Sequence, residues 1–75
     1  MQTGWVPKFS PRTDRVAVRV FERAEQTGQA VTMTFCRDVI ATLPDADRTA
    51  DPAQVHALVA IWQRAAADTR RRAMV

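Results

Sequence analysis

Apolar residues recur along the chain at helical spacing in three stretches divided by polar breaks. Between Pro11 and Gly28, Val16, Ala17, Val20, Phe21 and Ala24 fall on one side at about 100° per residue, and Arg15, Arg19 and Arg23 line the other. Val18 is the exception. Ser10-Pro11 supplies a start, because the serine oxygen accepts from a free backbone N–H and proline at the first helical position loses nothing. Gly28 is the matching stop.

The stretch 30–43 admits two readings. Val31 to Phe35 carries β-branched and aromatic residues that suit a strand, and a hairpin pairing 15–22 with 31–36 would give an α+β fold. That strand, however, sets Arg19 between Ala17 and Phe21 on one face. On a helical wheel Phe35, Cys36, Val39, Ile40 and Leu43 share a face and Pro44 ends the run, with Thr32 or Thr34 as the cap. Helix accounts for more residues. Pro44 to Ala50 reads as a polar loop. Asp51-Pro52 then repeats the start signal, with Gln54 placed to reach back in a capping box. Val55, Leu58, Val59, Trp62, Ala65 and Ala66 form the last stripe, with His56, Gln63, Arg64 and Asp68 off it.

The pattern predicts an all-α domain of three helices near 11–27, 33–43 and 52–72. Its expected core is Val16, Val20, Phe21, Phe35, Val39, Ile40, Leu43, Val55, Leu58, Val59 and Trp62. The chain has 75 residues, which suits one domain and excludes two. Residues 1–10 read as an irregular arm, 11–72 as the helical core. A domain this small has little apolar surface to spare, so Trp5 and Phe9 of the arm are expected to cover the helices; an exposed docking arm is the alternative.

Charge changes the picture more than composition does. Five cations face three acids in residues 1–29, two face four in 30–52, and four face one in 53–75. The net charge of +3 therefore gathers toward both ends of the sequence, which favours anionic partners. Ten of the eleven cations are arginine, whose planar fork suits phosphates and carboxylates alike. A solvated helix face is the plain reading of Arg15, Arg19 and Arg23, and helix-dipole complementation that of Arg70, Arg71 and Arg72.

Catalytic chemistry is thinly represented. There is one histidine, one cysteine, no tyrosine and no His/Cys cluster, so no metal site and no cofactor are expected. Cys36 faces inward on its wheel while His56 lies off the stripe, which argues against a thiol–imidazole pair. Only Gly4 and Gly28 are glycines, too few for a phosphate-cradling loop. The chain reads as a non-enzyme without a small-molecule substrate. No apolar run approaches the ~20 residues of a membrane span and no signal-peptide layout opens the sequence, so a cytoplasmic protein with no membrane partner is expected. The single thiol fits a reducing compartment.

The order of helix to Gly28, short extended Ala30-Val31-Thr32, Phe35–Leu43, loop and Asp51–Trp62 resembles the first three helices of helix-turn-helix and winged-helix regulators over about residues 11–62. The stretch from Pro44 to Asp51 is longer than that family's tight turn. The resemblance implies a third helix entering the major groove with Thr49, Gln54 and His56 at its start and arginines on phosphates.

Two functions are therefore expected. One is a small DNA-binding transcription regulator using Arg15, Arg19, Arg23, Thr49, Gln54, His56, Arg64, Arg70, Arg71 and Arg72. The other is an accessory factor or inhibitor, of the kind encoded by phages or by operons for large complexes. It would dock on a larger complex with an acidic surface, using the same arginines and the apolar anchors Trp5 and Phe9. A homodimer is compatible with either.

Overall fold

A computed structural model describes residues 9–73, and these form helices joined by short irregular links. They are α1 (Pro11–Thr27), α2 (Met33–Ala41), the one-turn α3 (Asp45–Arg48) and α4 (Pro52–Ala73). No strand occurs among the described residues, so the hairpin of 15–22 with 31–36 is excluded.

Each boundary has a local cause. The Ser10 side chain accepts from the Thr13 backbone N–H at 3.1 Å, and Pro11 follows at the first helical position. At the other end Gly28 adopts a left-handed φ of 71° and its N–H returns to the Ala24 carbonyl at 2.8 Å. Thr32 rather than Thr34 caps α2, accepting from the Phe35 N–H at 3.0 Å. α2 stops at Ala41, two residues before the expected end, because Thr42 bends back: its hydroxyl donates to the Val39 carbonyl at 2.6 Å. The expected polar loop instead winds one turn of helix, in which the Asp47 and Arg48 N–H groups share the Pro44 carbonyl. α4 opens on Asp51, whose carboxylate accepts from the Ala53 N–H at 2.9 Å. The expected reach-back of Gln54 is replaced by a tertiary bond to Thr13.

Two contacts fix how the long helices lie. Thr13 meets Gln54, and eight residues further on Phe21 meets Trp62, ring edge to face, with centroids 6.0 Å apart and planes at 88°. A constant offset means that α1 and α4 run side by side in the same direction. α2 packs against both and closes the core, which buries Val16, Ala17, Val20, Cys36, Val39, Ile40, Ala50, Val55, Leu58 and Val59. Each fully buried valine contributes roughly 1.5–3 kcal/mol relative to exposure, and the aromatic pair adds about 0.5–1.5 kcal/mol beyond its area.

The expected core is largely this one, with changes of degree. Phe21, Phe35, Leu43 and Trp62 are only half-buried around it, whereas Ala17, Cys36 and Ala50 lie inside. Ala65, assigned to the apolar stripe, is exposed. Phe9 is half-buried and packs against the core, as covering residue rather than free anchor. Trp5 lies outside the described residues. No helix among the described residues is long and apolar enough to cross a membrane.

Candidate functional site

On α1, Arg12, Arg15, Arg19 and Arg23 follow one another at three- or four-residue spacing and so share a flank beside the buried line of Val16, Val20 and Ala24. That flank faces the corner where α2 ends and α3 begins. Between them lies an open groove of about 350 Å³, walled by Arg19, Arg23 and Gln26 and floored by Val39 and Leu43. Pro44 and Asp47 form its far rim. A second shallow depression shares Arg19, Glu22 and Asp47 with it and extends the surface to Val18, a large apolar residue 43% exposed.

Electrostatics divide this surface unevenly. Asp47 is already met: Arg15 donates to its carboxylate at 2.9 Å across the junction of α1 and α3. The Arg48–Asp45 and Arg71–Asp68 pairs are local, three residues apart. Among the described residues Arg12, Arg19 and Arg23 take part in no ion pair. Surface pairs of this kind contribute at most about 1 kcal/mol, so leaving these arginines unpaired costs the fold little.

The remaining expected site residues are scattered. Thr49 is exposed in the turn after α3. Gln54 holds Thr13, its Oε1 accepting from the threonine hydroxyl at 3.3 Å. His56 is half-buried, with Nε2 3.1 Å from the Val31 carbonyl oxygen. Arg64 is on the outer side of α4 beside Ala60 and Ile61, away from the buried line of Val55, Leu58 and Val59. Arg70, Arg71 and Arg72 are exposed in its last turns, with Arg71 2.6 Å from Asp68. The structure thus brings Arg15, Arg19 and Arg23 together and leaves the others apart.

Comparison with known protein families, curated proteins and solved structures finds no match.

Sequence reasoning found the arginine wall but missed the floor. Leu43 and Val39 were legible as apolar, yet the early end of α2 leaves Leu43 half-buried at the groove, with Val39 buried beneath it in the core. Among the described residues no three His, Cys, Asp or Glu side chains gather as metal ligands. Cys36 is fully buried, and that burial pushes its thiol above the ordinary pKa, opposed in part by its backbone hydrogen bond. A buried, protonated thiol is a packing group rather than a nucleophile.

Proposed function

We propose that the chain is a non-enzymatic docking protein, a small helical adaptor or inhibitor. It binds a larger protein through the face made by α1 and the α2–α3 corner. The observation that carries this reading is the pairing of Arg19 and Arg23, free of ion pairs among the described residues, with the half-buried apolar side chain of Leu43 at the groove floor. Arginine beside apolar surface is the composition of protein interfaces. A duplex would offer phosphates to the arginines and nothing to the floor. The bonds of Gln54 Oε1 and His56 Nε2 within the fold support the same reading, since each takes up one of the polar atoms that base recognition would use.

A photo-crosslinking residue placed at Val18, and in a separate variant at Ile61 on the outer side of α4, tests it in cells of the source organism. A discrete adduct with one protein from position 18, absent from position 61, is the expected result. No protein adduct from either position overturns the reading.

A second reading, DNA binding, draws on the run of Arg12, Arg19 and Arg23 together with exposed Arg70 and Arg72. It requires saturable binding of duplex DNA at low salt that weakens linearly with the logarithm of salt, because each phosphate contact releases counterion. Fluorescence anisotropy without such binding removes it.

A further inference from the structure

We infer that the groove between α1 and the α2–α3 corner receives an acidic amphipathic segment of the partner, its carboxylates on Arg19 and Arg23 and one branched apolar side chain on Leu43. The inference rests on the docking reading above and specifies the chemistry of its occupant.

Charge complementarity carries it. Within the groove Asp47 is compensated by Arg15, so the acid on the rim attracts nothing further. Arg19 and Arg23 face only Glu22, which joins no ion pair among the described residues, and an excess of positive charge remains along the α1 wall. The two arginines stand one helical turn apart, about 5–6 Å, the spacing of two carboxylates at positions i and i+4 of an incoming helix.

The opposite wall has the other polarity. α2 ends there, and the carbonyl end of a helix carries partial negative charge. An acid laid against Thr42 would be repelled, whereas an apolar side chain there covers Leu43. The occupant is therefore oriented, with its acidic flank toward α1 and its apolar flank toward α2. About 350 Å³ accommodates one leucine-sized or aromatic side chain with part of its backbone. A nucleic-acid strand would meet the arginines but leave the apolar floor uncovered.

The probe is a fluorescein-labelled 16-residue peptide with leucine at every third or fourth position, glutamate on one flank and glutamine elsewhere. Two controls replace all glutamates by lysine or all leucines by serine. Anisotropy against the full chain should show saturable binding of the first peptide and none of either control. Amide shifts in 15N-labelled protein should concentrate in 19–26 and 39–43. R19E/R23E should weaken binding at least tenfold, and R64E, on the outer side of α4, less than twofold. Thermal unfolding of each variant checks that these exposed changes leave the fold intact. Failure of the acidic peptide to bind, equal weakening by R64E, or displacement of the peptide by duplex DNA would overturn the assignment. The docking reading fails separately: an adduct at Val18 that persists in R19E/R23E overturns this groove's role and leaves docking standing, whereas no adduct overturns docking itself.

Discussion

The hydroxyl of Thr13 lies 3.3 Å from the Gln54 side-chain oxygen and 3.0 Å from the Ser10 hydroxyl, so one buried threonine joins the cap of α1 to the first turn of α4. Thr13 is 2% exposed and, among the described residues, the one buried polar side chain in a core otherwise of valine, alanine, leucine, isoleucine and cysteine. A hydroxyl in that place is tolerated because both of its neighbours are polar.

Replacing Thr13 by valine should cost about 1 kcal/mol, and Gln54→Ala a similar amount. The double variant should cost less than the sum, since the two changes remove the same bond. Urea unfolding of the four proteins measures the difference; strict additivity would show that the contact contributes nothing.

His56→Ala should lower stability by about 1 kcal/mol through loss of the bond to the Val31 carbonyl, which fixes the link between α1 and α2 against α4. For a domain of this size that is roughly 4–8 °C in Tm. Binding of the acidic peptide should not change. A variant as stable as the parent that loses duplex binding would instead return His56 to nucleic-acid contact.

Cys36 gives the alkaline side of the stability profile. Because burial raises the thiol pKa in the folded chain, the unfolded chain ionises first, from about pH 8.5 upward, and there holds fewer protons than the folded one. Stability is therefore fully present below that pH and falls as pH rises through the folded-state pKa. With no tyrosine and one lysine the background is small. Urea midpoints between pH 7 and 10 should decline for the parent and stay nearly level for Cys36→Ala.

Gly28→Ala should cost about 1–2 kcal/mol, because φ is 71° there and only glycine adopts it without strain. An added Cβ would meet nothing within 4 Å, so the cost is conformational alone. Gly28→Asn should recover part of it, measurable as an intermediate Tm.

Replacing Arg70, Arg71 and Arg72 together by glutamine should cost on the order of 1 kcal/mol or less, since exposed terminal charges contribute a few tenths each. Acidic-peptide affinity should stay within twofold, because the groove lies on α1 and α2. A steep loss of affinity would place the tail in the binding surface.

Helix positions were legible because caps and periodicity agree: Ser10-Pro11, Gly28, Pro44 and Asp51-Pro52 bracket runs whose apolar residues repeat every three or four positions. The turn at 45–48 was not legible, because Asp45, Asp47 and Arg48 are loop-forming by composition, and the Pro44 carbonyl together with the distant Arg15 organises them. Gln54 illustrates a second limit. A capping glutamine and one that bonds another helix have the same sequence signature, and the choice is made by Thr13, 41 positions away. The arginine flank was visible on the wheel of α1, but its partner wall depends on where α2 stops.

The common direction of α1 and α4 also bears on how the chain reaches this state. Antiparallel neighbours form once a hairpin of a few residues closes; here Thr13 and Gln54 can meet only after a loop of 41 residues has closed. The added closure entropy is about 2 kcal/mol relative to a five-residue turn. Folding should therefore be slower than in a helical hairpin of equal length, whose contacts all join sequence neighbours.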